Sequence, residues 1–189
     1  MTRMKIMTRV LILGVLMAIR GFGQEIQVPV EIQYQLILKS LGYVKTAEGQ
    51  NDGQPYTIAV LYQSKNRTSF LNMEEFAKAY KVLGVEGVSR PVQFKYIDLS
   101  EQPQWIEAAG GTNMLYITPL RAVALGPITE HCNQNGILTV SSQPLSSDGD
   151  IVMGFTLVSD RPRIQVHQAA SQKAGIRFSA AFMQIVQRL

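Results

Sequence analysis

The chain has 189 residues, 46% of them hydrophobic, without low-complexity segments or an internal repeat, so its size and composition fit one globular domain with a substantial core. Its formal net charge of +4 comes from residues 1–23, which contain four basic and no acidic residues and leave 14 of the 18 basic residues against 14 acidic ones. The neutral remainder excludes the basic surface of a nucleic-acid-binding protein, and the single cysteine, Cys132, excludes an intrachain disulfide.

The N-terminus has the pattern of a cleavable secretory signal peptide. Three basic residues among the first nine precede an apolar run at residues 10–19, which is shorter than the roughly 20 residues that cross a hydrocarbon core. Small residues follow at 21–23 (Gly-Phe-Gly), so we expect cleavage after Gly23 and one domain over residues 24–189, located in a bacterial periplasm. Arg20 lies unusually close to the expected cleavage site, which keeps an uncleaved N-terminal anchor as the alternative.

Apolar spacing predicts the elements of the first half of the chain. Residues 30–43 have helical spacing that indicates one face on a core, and the nearly continuous apolar run Tyr56–Tyr62 indicates a strand covered on both faces. The polar, glycine-containing segment 46–55 between them is expected to be a loop. Asn72 and Glu75 have the spacing of a capping box, which predicts that the next helix begins there and ends at the glycine after its apolar stripe.

The middle of the chain alternates strands with helices, which is typical of a parallel sheet with right-handed crossovers. The predicted elements are a strand at 92–99, a short helix capped by Ser100 and reaching residue 109, a strand at 114–118, a helix at 120–132 and a strand at 137–141.

The C-terminal part has a different pattern. A polar loop at 143–150 leads into a hairpin whose strands, 151–158 and 163–166, flank a four-residue turn, and a short helix at 168–174 follows. An apolar stripe at helical spacing then predicts a final helix with a buried face, formed by Phe178, Phe182, Ile185 and Leu189. The expected architecture is a three-layer α/β/α single domain with a mixed, mainly parallel sheet and a C-terminal hairpin plus helices.

No motif in the sequence predicts catalysis. There is no G-x-S-x-G turn, no phosphate-binding glycine loop, and no histidine or cysteine spacing that would hold zinc. His131 and His167 are expected to make hydrogen bonds or lie at the surface, and Cys132 to be a buried small apolar residue. Asp148 and Asp150 supply too few ligands for a cation and are expected to form a turn. We therefore expect no enzymatic activity, no cofactor and no metal.

A ligand site is expected where open α/β sheets usually bind ligands, beyond the carboxyl ends of the parallel strands. Polar side chains follow three of the predicted strands and could hydrogen-bond a small molecule. The candidate ligand-binding residues are Gln63, Ser64, Asn66, Thr118, Ser141 and Ser142. The alternative for Asn66, which begins an Asn-Arg-Thr glycosylation sequon, is ordinary loop chemistry.

The last third of the chain resembles the YfiR family of periplasmic proteins. The resemblance is carried by residues 137–142 (Ile-Leu-Thr-Val-Ser-Ser), 153–157 (Met-Gly-Phe-Thr-Leu), 163–166 (Arg-Ile-Gln-Val) and 170–179, which contain Ala-Gly-Ile before a serine. The sequence departs from the family pattern at three places, where Asp150-Ile151 replaces Gly-Gly, His167 replaces Asn, and Ala180 replaces a second serine.

The resemblance implies a non-enzymatic regulator that binds the periplasmic part of an inner-membrane signalling protein, typically a diguanylate cyclase, and thereby modulates cyclic di-GMP signalling. A periplasmic solute-binding module is the alternative, and an enzyme is a third. Association with a small ligand and formation of a homodimer both stay open.

Overall fold

The computed structural model describes residues 27–45, 54–85, 88, 90–102 and 104–189. The expected signal peptide and almost all of the loop expected at 46–55 lie outside the described residues. Within those ranges, none of the helices combines the length and the apolar character needed to cross a membrane.

Six helices and nine strands make up the described fold. The helices are α1 (Val30–Leu41), α2 (Arg67–Leu83), α3 (Trp105–Ala108), α4 (Leu125–Gln134), α5 (Gln168–Lys173) and α6 (Ala180–Ile185). The strands are β1 (Val44–Lys45), β2 (Tyr56–Tyr62), β3 (Val92–Asp98), β4 (Met114–Ile117), β5 (Leu138–Ser141), β6 (Met153–Val158), β7 (Arg161–Val166), β8 (Arg177–Phe178) and β9 (Gln187–Arg188).

Seven strands form one sheet in the order β3-β2-β4-β5-β6-β7-β9. All neighbours are parallel except β6 and β7, which form the antiparallel hairpin. The strand order reverses at β2, because the chain moves from β2 to β3 on one side and then returns to β4 on the other. A separate two-stranded sheet pairs β1 with β8, with Val44 opposite Phe178.

Helices cover both faces of the large sheet, which confirms the predicted three-layer α/β/α architecture with a mixed, mainly parallel sheet. One face packs on α1, α2, α5 and α6 around Tyr34 and Phe76. The other face packs on α3 and α4 around Trp105 and Ile128. The first six residues of β2 are buried, as its continuous apolar run predicts.

Helix α2 begins earlier than its capping-box spacing predicts. Asn66 is the residue that caps it, because its backbone is extended and its Oδ1 accepts a hydrogen bond from the Thr68 N–H at 3.2 Å. Asn72 lies inside the helix, where its Oδ1 is 3.2 Å from the Tyr116 hydroxyl. The predicted cap at Asn72 and Glu75 is therefore wrong.

Helix α4 begins later than predicted, at Leu125 and not at residue 120. Ala122 has a φ of +56°, which no α-helix contains. Pro127 lacks an N–H and would break a helix that started at residue 120, whereas it is tolerated in the first turn of α4. The predicted cap of α3 is also wrong, because Gln104 stands at that position.

The apolar stripe at the C-terminus does not form one helical face. Helix α6 ends at Ile185, and Val186 is extended, so that β9 can pair with β7. Phe182 is 2% exposed, whereas Ile185 is 60% exposed. The hairpin turn is likewise shorter than predicted, since Ser159 and Asp160, both with positive φ, connect the strands alone.

Candidate functional site

Polar residues follow β2 and β4 at their carboxyl ends, the position where the strand order of the sheet reverses. Gln63, Ser64 and Asn66 come after β2, and Thr118 comes after β4. In open α/β sheets a crevice at such a point is the usual ligand site. The structure therefore places these four residues in the predicted region.

Hydrogen bonds within the protein connect the two loops at this point. The Gln63 side chain accepts from the Arg121 N–H at 2.7 Å and donates to the Arg121 carbonyl at 3.1 Å. The Asn66 amide donates to the Pro119 carbonyl at 3.2 Å. These contacts bridge the crevice and occupy the side-chain groups that were expected to face a ligand.

A chain of hydroxyl groups continues below the bridge. Thr118 Oγ1 donates to the Leu61 carbonyl at 2.9 Å, so it accepts the proton of Ser69 Oγ at 2.6 Å. Ser69 Oγ in turn accepts from the Gln63 N–H at 2.8 Å. Thr118 is 2% exposed, and its hydroxyl therefore stabilises the start of α2 against β4.

Ser64 belongs to a neighbouring turn at the edge of the sheet. Its N–H and that of Ser100 both donate to Asp98 Oδ1 at 2.9 Å. Partial burial would raise the pKa of the Asp98 carboxyl, but the hydrogen bonds from Ser64 and Ser100 outweigh it and lower that pKa. Ser100 Oγ also accepts from the Lys65 N–H at 3.3 Å, and Lys65 pairs with Glu101 at 3.2 Å.

Ser141 ends β5 and Ser142 follows it, beside the end of β4, where the Ser142 N–H donates to the Ile117 carbonyl at 3.0 Å. Their side chains have partners of their own. Ser141 Oγ accepts from the Gln143 N–H at 3.0 Å and lines a cavity of about 240 Å³ between the first turns of α4 and the loop before β6. The Ser142 carbonyl accepts from Gln33 Nε2 at 3.0 Å on the α1 side of the sheet. The structure thus brings together Gln63, Asn66 and Thr118 but not all six predicted residues.

The residues considered for acid–base or nucleophilic chemistry have structural contacts. Cys132 is fully buried, and burial raises the pKa of its thiol to about 12. The His131 ring packs edge-on against Trp105 with 5.2 Å between ring centroids. His167 Nδ1 accepts the Ala170 N–H at 3.2 Å and caps α5, so its Nε2 carries the proton that is donated to the Ser147 carbonyl at 2.8 Å.

The turn that contains Asp148 and Asp150 forms a surface contact with α5. Asp150 Oδ1 pairs with Lys173 Nζ at 3.1 Å, and Asp148 Oδ1 accepts from Ser147 Oγ at 3.3 Å. Among the residues that the structure describes, no three metal-binding side chains lie together.

A larger cleft, of about 480 Å³, lies at the opposite edge of the sheet, where β2, β3, β4 and β5 begin. Thr57, Gln93, Lys95 and Asn113 form its floor, and the ends of α3 and α4 form its sides. The sequence prediction missed this cleft because it followed the usual position of ligands. Alternate polar residues at the start of β3, Gln93 and Lys95, were the available indication.

Comparison with known proteins identifies both a family and a fold. A family model described as YfiR/HmsC-like matches residues 31–187. No curated protein sequence matches the chain significantly.

Two solved structures have a similar fold. One is a crystal structure of an ABC domain from Streptococcus pneumoniae in complex with L-Trp, with a TM-score of 0.58 and 12% identity over 85% of this chain. The other is a conserved domain protein from Vibrio cholerae O1 biovar El Tor, with a TM-score of 0.58 and 13% identity over 85% of this chain. The chain spans 60% of the length of each, and at these identities the likeness concerns the fold alone.

Proposed function

This chain belongs to the YfiR/HmsC-like family, and we propose that it is a periplasmic regulator that performs no chemistry itself. Its target is the periplasmic part of an inner-membrane signalling protein. The observation that carries the proposal is the family match, which extends over residues 31–187 and so reaches from α1 to the start of β9.

The finer part of the proposal concerns the target. The YfiR resemblance implies a diguanylate cyclase, whose output of cyclic di-GMP the regulator restrains. A regulator of this kind works by binding one state of its target more tightly than another, since only a difference in affinity can shift the equilibrium between them. The interface it needs is on the order of 800 Å² on each partner.

The contacts of the chemically capable side chains support a binding role. The Cys132 thiol is buried, and a thiol with a raised pKa is a poor nucleophile. The His167 ring uses both nitrogens to hold α5 and the loop at Ser147. These residues are therefore accounted for by folding, and catalysis is not needed to explain them.

The experiment that tests this function is genetic. Deletion of the gene is expected to change cellular cyclic di-GMP, and the change is expected to vanish when the target cyclase is also deleted. Pull-down from membranes followed by mass spectrometry identifies that cyclase. The proposal would be contradicted if deletion of the gene changed cyclic di-GMP but the pull-down recovered no membrane signalling protein.

A matched variant separates binding from chemistry. Replacement of His131 by Gln, Cys132 by Ala and His167 by Asn keeps similar sizes, and Asn also caps helices well. The triple variant is expected to fold, bind its partner and regulate normally. If it bound normally yet lost all regulation, chemistry at those residues would become the leading explanation.

A solute-binding module is the second candidate, favoured by the 480 Å³ cleft, whose size is typical of small-molecule sites. A ligand that binds only the folded protein raises its melting temperature in proportion to the logarithm of its concentration. This role is therefore tested by measuring the melting temperature of the exported protein with and without fractions of a periplasmic extract. A melting temperature that no fraction raises would argue against it.

A further inference from the structure

The cleft at the amino ends of the strands continues the sheet face that α3 and α4 cover. On that face, alternate residues of β2 and β3 change from apolar to polar toward the amino end. Leu61 and Ile97 are buried under the helices, whereas Thr57, Gln93 and Lys95 line the open cleft. The helices therefore end before this edge of the sheet and leave a cleft of about 480 Å³ with a polar floor.

The described lining of the cleft contains basic but no acidic side chains. Lys95 and His131 are its titratable residues. Lys95 Nζ donates to the Gly110 carbonyl at 2.6 Å, which fixes the ammonium at the cleft and leaves two of its three N–H donors for another acceptor. The electrostatic character of the cleft thus favours an anionic group.

A buried hydroxyl without a partner lies in the same wall. Thr112 is 7% exposed and lines the cleft, and its Oγ1 has no hydrogen-bond partner among the described residues. A buried polar atom left in this way is unfavourable, because it has lost its hydrogen bonds to water without gaining others. The neighbouring Asn113, which also lines the cleft, accepts the Thr57 N–H at 2.8 Å through Oδ1.

We propose that this cleft binds a small organic anion, with its carboxylate or phosphate on Lys95 and, once the Thr112 side chain has rotated toward the cleft, on the Thr112 hydroxyl, whose oxygen is buried in the structure. Ile106 and Ile137 also line the cleft and supply an apolar surface for the body of the molecule. The ligands that fit are small molecules that carry one anionic group on a partly apolar skeleton. This site goes beyond the regulatory function proposed above, and binding to it does not depend on the membrane partner.

The test is a ligand titration of the exported protein, in which binding is monitored by NMR through the chemical shifts of the backbone amides. Benzoate and phenyl phosphate are the probes, and benzamide is the neutral control of the same shape. At least one anion is expected to give saturating shifts at residues 93–95 and 109–113 with a dissociation constant below about 10 mM, while benzamide gives none. The response to the two anions distinguishes carboxylate from phosphate.

Variants assign the binding to the two polar groups. Lys95→Gln is expected to weaken binding about ten-fold or more, Lys95→Arg to retain it, and Thr112→Val to weaken it while keeping the shape of the side chain. Lys65→Gln is the matched control, because Lys65 is an exposed lysine at the other edge of the sheet, paired with Glu101. Shifts that do not saturate for either anion, that benzamide reproduces, or that survive Lys95→Gln would each overturn the proposal.

Discussion

The side-chain amide of Gln63 pairs with the backbone of Arg121 through two hydrogen bonds, as a second peptide group would. One bond runs from the Arg121 N–H to Gln63 Oε1 at 2.7 Å, and the other from Gln63 Nε2 to the Arg121 carbonyl at 3.1 Å. The pair fixes the loop after β2 to the loop after β4. It therefore determines the shape of the edge at which α/β sheets usually bind ligands.

Gln63→Ala is expected to loosen this bridge at a cost of about 1 kcal/mol, because both hydrogen bonds are exposed to solvent. Urea denaturation measures the loss, and hydrogen exchange at the Arg121 amide is expected to accelerate. Gln102→Ala is the control, since Gln102 is an exposed loop residue. Equal exchange at Arg121 in all three proteins would mean that the bridge does not hold the loops.

Phe182→Ala is expected to cost about 3 to 5 kcal/mol, because this buried ring stacks between Tyr43 and Phe178 with centroid distances of 5.3 and 5.2 Å. Ile185→Ala is the matched control in the same helix. With 60% of Ile185 exposed, its truncation is expected to change the unfolding free energy by about 0.5 kcal/mol or less. If both variants lost a similar amount of unfolding free energy, Phe182 and Ile185 would lie on one buried helical face, as the sequence predicts.

Asp98→Asn is expected to change how stability depends on pH. The folded-state pKa of Asp98 lies below its usual 3.8, so its carboxylate stabilises the fold above that value and loses this effect as the pH falls through the folded pKa. The wild-type protein should therefore exceed the variant in urea midpoint above pH 3.8, with the difference vanishing in stronger acid. A difference independent of pH would assign the effect to packing.

Cys132 is expected to resist iodoacetamide in the folded protein at about pH 8, since its thiol is buried and carries a pKa raised to about 12. Mass spectrometry after alkylation should show one modified cysteine in denaturant and almost none without it. Stoichiometric modification of the folded protein would show that the side chain is accessible.

N-terminal sequencing of protein recovered from the periplasm is expected to begin at Gln24 or within a few residues of it. The reason is the short apolar run at residues 10–19 followed by Gly-Phe-Gly. A full-length chain held in the membrane would instead support the alternative of an uncleaved N-terminal anchor, which the position of Arg20 suggests.

Local patterns predicted most of the fold, because buried strands such as Tyr56–Tyr62 carry their own apolar signature. Errors arose where two residues could serve the same role. Asn66 and Asn72 can both cap a helix, and contacts with the rest of the fold decide between them: Asn66 also donates to Pro119, and Asn72 contacts Tyr116. Pro127, by contrast, was visible in the sequence and limits the start of α4.

The C-terminus and the candidate site could not be predicted locally. The helical spacing that ends at Leu189 is overridden because the backbone at Val186 is extended, which lets Gln187 pair with Gln165 on β7. Similarly, no spacing in the sequence indicates that the Gln63 side chain is hydrogen-bonded to the backbone of Arg121. Nor does it indicate that α3 and α4 end before the opposite edge of the sheet and leave a cleft there.

The small sheet of β1 and β8 has a consequence for how the chain reaches its native state. It joins Val44 to Phe178, and the Ser179 N–H also donates to the Tyr43 carbonyl at 2.9 Å. Contacts between such distant residues slow folding, because a long loop must close before they form. A growing polypeptide cannot complete the contacts next to α1 until residues 177–179 have been synthesised, so we expect the packing around α1 to be completed late in folding.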